Sequence, residues 1–280
     1  MYNVKTNIIA AATAIAVSLA SCQGKSEEAI AAGQLADKAQ SLIENGKPTE
    51  AIAMLDSLMA KYPTDVEAGR RALALRPRAI ELGTIAEIQT TDSMIAVYSA
   101  ENEQIAPSMK KIDDTDLVEP YYVASSGYDP SFMNSTGIQP RVDEIGQFYI
   151  LSSVTGNNLR HNSITIKSTN GEVSTQAVPY DGDSNYRIDA TELVTYSPEA
   201  CDTIGYFVAR NPEATYTLIF NGENGKSLTR KLTSAQAKGI ADAWTYSRSI
   251  VKSRALAARK QMLEQRLQIA RDQIARTSGE

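Results

Sequence analysis

One stretch of the sequence carries enough closely spaced oxygen ligands to bind a metal ion. Its candidate ligands are Asp181, Asp183, Asn185, Asp189 and Glu192. Carboxylate and amide oxygens are hard ligands, which suit Ca²⁺ better than a soft transition metal. The spacing therefore makes a calcium site one hypothesis for this stretch. An acidic turn between two strands is the other, because Asp and Asn side chains stabilise turns.

These five positions resemble the ligand positions of an EF-hand calcium loop. The sequence departs from that family at Tyr186, where the loop requires glycine for its turn. Pro179 and the strand-like residues 172–178 leave no place for the entering helix. The departures favour the acidic turn, so no cofactor is expected, and calcium is kept as the alternative.

The residues available for nucleophilic catalysis are few. His161 is the only histidine, so any Ser–His or Cys–His chemistry would have to use it. No nucleophile-elbow motif accompanies it, and the run from Arg160 to Asn162 predicts a polar rim at the start of a strand. If Cys22 is modified, Cys201 is the one remaining thiol, which we interpret as a partly buried packing residue. These patterns predict that the protein is not an enzyme.

Several tyrosines are candidates for an exposed platform that stacks on carbohydrate or peptide. They could equally pack within strands, because a tyrosine ring is mostly apolar. The candidates are Tyr121, Tyr122, Tyr128, Tyr180 and Tyr186.

Residues 1–21 are typical of a secretory leader. An apolar run from Ile8 to Leu19 is too short to span a bilayer comfortably. It ends in Leu19-Ala20-Ser21-Cys22, which resembles the lipobox of bacterial lipoproteins. The resemblance implies cleavage before Cys22, acyl chains such as palmitate on that cysteine, and attachment to a membrane through the lipid.

Residues 22–31 are predicted to form a polar tether. In lipoprotein families, a residue such as Gln23 after the cysteine implies the outer membrane of a Gram-negative bacterium. The periplasmic and the surface-exposed face both stay open. No later segment is apolar for about 18 residues, so no transmembrane helix is expected. The net charge is −5, and −6 once Lys5 leaves with the leader, which argues against a nucleic-acid partner.

Residues 32–65 have helical periodicity and resemble a single tetratricopeptide repeat. Gly46, Ala51 and Pro63 stand at the characteristic spacing of that family, and Pro48 departs from it at a usual aromatic position. No second copy follows, and one repeat cannot bury its own apolar face. We therefore expect a helical hairpin packed on neighbouring helices, with an independent peptide-binding groove as the alternative.

Two helical arms are predicted at residues 66–114 and 233–276, with Pro77 and Pro107 expected to bend the first arm. From Ser234 to Arg276 the second arm carries nine basic and three acidic residues. A single helix of that length would be marginal alone, so we expect the arms to pair as an antiparallel coiled coil. A basic helix that binds anionic lipid or polysaccharide is the alternative. The acids of the first arm are Glu81, Glu87, Asp92, Glu101 and Glu103.

Between the arms, residues 115–232 change to short β-branched and aromatic runs, and Asn170-Gly171 predicts a tight hairpin. The expected fold is α+β. An N-terminal helical hairpin and an antiparallel helical stalk enclose an inserted antiparallel β-sandwich-like domain. The predicted strands are residues 121–125, 146–154, 163–168, 172–178, 204–209, 214–220 and 227–232.

These patterns together indicate a membrane-anchored envelope lipoprotein that acts as a non-enzymatic scaffold or binds a protein partner in the envelope. The alternative is a β domain that binds a glycan or calcium through residues 181–192 and the neighbouring tyrosines. The identity of the ligand or partner and the oligomeric state stay open.

Overall fold

The computed structural model describes residues 26–113 and 119–278, so the leader and Cys22 lie outside the described residues. The described chain has an α+β fold with five α-helices and two antiparallel sheets. None of the helices in these ranges is both long and apolar enough to cross a membrane. The helices are α1 (Glu27–Glu44), α2 (Pro48–Lys61), α3 (Val66–Ile105), α4 (Pro198–Ala209) and α5 (Ser234–Ser278).

The strands form one six-stranded sheet and one four-stranded sheet, in the orders β1-β2-β3-β4-β8-β7 and β10-β9-β5-β6. Every neighbouring pair is antiparallel. The strands are β1 (Met109–Ile112), β2 (Tyr121–Ala124), β3 (Gly137–Asp143), β4 (Phe148–Thr155), β5 (His161–Ser168), β6 (Gly171–Ser174), β7 (Asn185–Ile188), β8 (Thr191–Tyr196), β9 (Thr217–Gly222) and β10 (Ser227–Lys231).

The chain divides into two compact units. The first comprises residues up to Gly83 together with those from Ala270 onward, and the second is Thr84–Ile269. Both α3 and α5 therefore contribute residues to each unit.

The first unit is built around the α1–α2 hairpin. Ala32, Ala36 and Ala39 are completely buried on one face of α1, where their small side chains let α1 pack closely against Leu55 and Leu58 of α2. The turn between the helices places Gly46 at a φ of 71°, a conformation that glycine adopts without strain. The helical hairpin that the sequence predicts is therefore present.

The hairpin begins earlier than expected. Helix α1 starts at Glu27, within the segment predicted to be a polar tether, because Ser26 caps it by accepting a hydrogen bond from the Ala29 amide at 3.2 Å.

Helix α3 also continues through Pro77, which was expected to bend the chain. The carbonyl that this proline leaves without a donor belongs to Leu73, an exposed residue, so water can satisfy it.

The second unit holds the main apolar core, which lies between the two sheets and under two helices. Val154 and Val194 from the six-stranded sheet and Ile164 and Phe220 from the four-stranded sheet are fully buried there. Each such side chain contributes roughly 1.5–3 kcal/mol relative to an exposed position. Helix α4 and the first turns of α5 cover the same core, through residues that include Cys201, Ile204, Val208 and Ile240.

One predicted strand was wrong. Residues 204–209 belong to α4, which starts with Pro198 at a first-turn position where a missing N–H costs nothing. Ala200, Cys201, Ile204 and Val208 recur at helical spacing and are buried. The period-2 pattern of a strand was assumed for this segment, although a short apolar run fits a strand and a helix equally well.

The first arm also ends earlier than expected. Helix α3 stops at Ile105, a short 3₁₀ turn contains Pro107, and Met109–Ile112 form β1 rather than a last helical turn. Three further strands, β3, β7 and β8, were absent from the prediction.

Within the second unit, α3 and α5 run antiparallel. Asn102 donates to Ser249 at 2.9 Å, Lys260 pairs with Asp92 at 2.7 Å, and Arg266 pairs with Glu87 at 3.1 Å. The residue numbers fall along α3 as they rise along α5, as the predicted pairing of an acidic and a basic arm requires. These ion pairs are partly exposed, so they define the register more than the stability.

Candidate ligand-binding pocket

The β domain contains a cavity of about 700 Å³ at one edge of its two sheets. The β7–β8 hairpin forms one side, and the segment that leads into β5 forms another. The volume lies in the range of small-molecule sites. The cavity is lined by Asn158, Arg160, Asn162, Ala177, Pro179, Tyr180, Asn185, Tyr186, Arg187, Glu192 and Glu223.

The least exposed residue of the cavity lining is Glu192, at 4%, and its carboxylate is called the floor of the cavity below. Its Oε1 accepts a hydrogen bond from the Arg160 amide at 2.9 Å, and its Oε2 accepts one from the His161 amide at 3.0 Å. Arg160 has a left-handed φ of 49°. Two successive backbone N–H groups directed at one anion form a nest, which holds the carboxylate in place.

A buried polar chain continues behind Glu192. The Nδ1 atom of His161 lies 3.1 Å from Glu192 Oε2, and its Nε2 atom lies 2.7 Å from Ser152 Oγ. The Tyr196 hydroxyl lies 3.3 Å from the same serine oxygen. The His161 ring also meets the ring of Phe220 edge to face, with centroids 5.6 Å apart.

The environment makes His161 neutral and Glu192 ionised at neutral pH. Burial lowers the pKa of His161 and outweighs the opposing effect of Glu192. For Glu192, burial raises the pKa, but the hydrogen bonds from Arg160 and His161 prevail and leave that pKa below its usual value. A neutral ring with its proton on Nδ1 donates to Glu192 and accepts from Ser152.

The order serine, histidine, carboxylate also occurs in acyl-transfer hydrolases, where the serine faces the substrate. Here Ser152 and His161 are completely buried, and neither lines the cavity. The carboxylate is the member of the chain that faces the cavity. The chain is therefore arranged to orient Glu192, and no substrate atom in the cavity would meet the serine.

The cavity walls carry two arginines. Arg187 donates from Nε to the carbonyl of Asp189 at 2.9 Å and from Nη1 to Asn158 Oδ1 at 3.0 Å. Arg160 pairs with Glu223 at 3.4 Å. With Glu192, the cavity lining therefore contains two positive and two negative side chains.

The structure does not gather the five proposed calcium ligands around one point. Asp181 Oδ1 accepts hydrogen bonds from the amides of Asp183 and Asn185, both at 2.9 Å, which is an acidic turn. Those bonds lower the pKa of Asp181. Asp189 lies in the β7–β8 turn at a φ of 53°, and Glu192 has the partners described above.

Asn185 is buried and directs its amide inward, where Nδ2 donates to the carbonyls of His161 and Val178 at 3.2 and 2.8 Å. Among the residues that the structure describes, no three His, Cys, Asp or Glu side chains are placed to hold a metal ion. Of the five proposed ligands, Asn185 and Glu192 line the cavity.

The candidate tyrosines separate into two groups. Tyr180, which is 71% exposed, and Tyr186 line the cavity. The other three lie elsewhere: Arg141 sits 3.9 Å above the ring of Tyr121, Tyr122 packs on Tyr246, and Lys110 covers Tyr128.

His161 was expected at a polar rim, and this was wrong, because its side chain is fully buried. No local signal identifies its partners, since Ser152 and Glu192 are 9 and 31 residues away. Cys201, expected to be partly buried, is completely buried, and burial raises the pKa of its thiol to about 12.

In comparisons with protein-family models, with curated proteins and with solved structures, the chain matches none.

Proposed function

We propose that this protein is a non-enzymatic, lipid-anchored envelope protein whose β domain binds a glycan in the 700 Å³ cavity. The observation that supports the proposal is the lining of that cavity. It combines two tyrosine rings with arginine, asparagine and glutamate side chains around one concave space. A scaffold alone would not need such a cavity, which favours the binding function over a purely structural one.

The lining suits a sugar for a chemical reason. A sugar presents many hydroxyl groups, each of which both donates and accepts hydrogen bonds, together with apolar C–H faces. Arginine supplies donors, an ionised carboxylate supplies acceptors, and asparagine supplies both. The rings of Tyr180 and Tyr186 supply apolar area with a polar tip.

Glycan binding can be tested on the full chain in a zwitterionic detergent that has no sugar headgroup. Ligand-observed saturation-transfer NMR against mono- and oligosaccharides should show binding that Tyr180→Ala weakens at least several-fold. Tyr206→Ala is the matched control, because Tyr206 is also exposed but lies on α4, outside the cavity. Absence of binding to every sugar, or equal loss in both variants, would contradict the proposal.

The anchor is proposed from the sequence Leu19-Ala20-Ser21-Cys22. An anchor of this kind would hold the β domain in the cell envelope, where glycans are abundant. Metabolic labelling with palmitate in a Gram-negative host should mark the wild-type chain and leave Cys22→Ser unlabelled. Labelling of the Cys22→Ser chain would rule out the proposed lipid site.

A further inference from the structure

Two charged side chains face each other at the floor of the cavity and are held apart. Arg187 and Glu192 are directly opposite in the β7–β8 register. The Arg187 Nη1 atom lies 3.9 Å from Glu192 Oε1, which is too long for a direct hydrogen bond. A donor and an acceptor are therefore presented side by side without satisfying each other.

We propose that the ligand is an uncharged sugar with two neighbouring hydroxyl groups, one donating to Glu192 and the other accepting from Arg187. This inference rests on the proposed glycan-binding function and names the class of glycan that the same cavity takes.

Glu192 has one acceptor position left, and it is on the correct oxygen. A carboxylate offers about four lone-pair positions, two on each oxygen. The His161 amide and Nδ1 both bond to Oε2, which fills it, whereas Oε1 accepts only the Arg160 amide. The unused position therefore lies on Oε1, the oxygen nearest to Arg187.

Arg187 is held rigidly and still has donors to spare. Its bonds to Asp189 O and Asn158 Oδ1 use two N–H groups of a guanidinium that carries about five. Because these bonds already fix the planar fork, little side-chain entropy is lost when a ligand hydroxyl binds. The pair is thus preorganised for a group that accepts at one atom and donates at the next.

The charge of the cavity argues against an acidic ligand. Its two arginines are matched by Glu192 and Glu223, so no excess positive charge attracts an anion. A ligand carboxylate at the floor would also meet the carboxylate of Glu192, and two like charges repel each other. A neutral hydroxyl pair meets neither obstacle.

The ligand class can be tested by NMR titration of the full chain at pH 7 in the same sugar-free detergent. The probes are glucose, galactose, mannose and N-acetylglucosamine, their uronates, and 2-deoxyglucose, which lacks one hydroxyl of a neighbouring pair. We expect at least one neutral sugar to bind, its uronate to bind at least tenfold more weakly, and deletion of a contacting hydroxyl to weaken binding by a similar factor.

Two variants test the residues. Arg187→Lys keeps the charge but loses the fork, and we expect binding at least tenfold weaker. Asn158→Ala removes one support of Arg187 from an exposed position, so the fold should tolerate it, and we expect a several-fold loss. Arg210→Lys is the matched control at the C-cap of α4, outside the cavity, and should bind as the wild type does.

The outcomes separate this inference from the proposed function. Tighter binding of a uronate than of its neutral parent, or unchanged binding in both Arg187→Lys and Asn158→Ala, would overturn the inference while glycan binding stands. If no sugar in the panel binds and longer oligosaccharides also fail, both the inference and the proposed function are overturned.

Discussion

Replacing Glu192 by alanine should destabilise the β domain more than replacing Glu223, the other carboxylate of the cavity lining. The carboxylate accepts from the Arg160 amide, the His161 amide and His161 Nδ1. After the substitution the Arg160 amide can turn to water in the cavity, whereas both His161 groups stay buried. Each buried donor without a partner costs about 1–3 kcal/mol, so Glu192→Ala should cost about 2–6 kcal/mol.

The matched control is Glu223→Ala, which removes the other carboxylate of the same cavity. Glu223 is exposed and only pairs with Arg160 at 3.4 Å, so its loss should cost about 1 kcal/mol or less. Urea unfolding followed by the fluorescence of Trp244, the only tryptophan, reports on the unit that contains both glutamates. The shift in midpoint multiplied by the slope gives the change in the free energy of unfolding.

The Glu192→Ala effect also has a defined pH dependence. Because the folded-state pKa of Glu192 is lowered, its contribution is complete above the ordinary value of about 4.3 and falls as acid protonates the folded carboxylate. Protonation of the carboxylate itself should therefore not change the difference between wild type and variant from pH 7 to 5. Because Glu192 raises the pKa of His161 against burial, the variant should lose more stability than the wild type as the pH falls below about 6.5. A cost below 1 kcal/mol, equal to that of Glu223→Ala, would refute the view that a buried network holds this carboxylate.

Three further outcomes are expected. Burial lowers the folded-state pKa of His161, so the unfolded chain takes up a proton at higher pH than the folded chain does, and the free energy of unfolding should fall as the pH drops below about 6.5. In His161→Phe, the urea midpoint should vary less with pH between 7.5 and 5. In a Cys22→Ser chain, Cys201, buried and with a thiol pKa of about 12, should react with an aromatic disulfide reagent only after denaturation, and fast reaction of that folded chain would contradict its burial. Gly205→Ala would place a Cβ in collision with the Trp244 ring and should cost about 1–3 kcal/mol. Gly33→Ala, in the interior of α1 with no atom within 4 Å of the added Cβ, should raise stability by up to about 1 kcal/mol. Thermal melts measure both effects.

The helical parts of the fold could be predicted because their signals are local. A helix that buries one face repeats small or apolar residues about every 3.6 positions, as Ala32, Ala36 and Ala39 do in α1. The start of α5 has a capping box, in which the Gln236 amide donates to Thr233 Oγ1 at 3.2 Å and the Thr233 amide donates to the Gln236 side chain at 2.9 Å. Both partners of such a signal lie within one turn of each other.

The pairing of the two arms was predictable for a different reason. The β domain is inserted between the arms in the sequence, which made an antiparallel arrangement the natural one, and their opposite charges supported the pairing. The bonds of Asp92 to Lys260 and of Glu87 to Arg266 have that geometry. Helix α4 was missed because Ile204 to Ala209 is short and apolar, and period alone does not distinguish a buried strand from a buried helix in so short a run.

The sequence by itself determined the α+β class, the two helical arms and most of the strands between them, since periodicity, caps and turn residues act over a few positions. It also placed Asn185, Glu192, Tyr180 and Tyr186 in one candidate region, although with calcium as the first ligand considered. Only the tertiary structure decided that this region lines a cavity and that His161 is buried behind it. The packing of two sheets brings Ser152, His161 and Glu192 together across 9 and 31 residues, and a contact of that range has no local pattern from which it can be predicted.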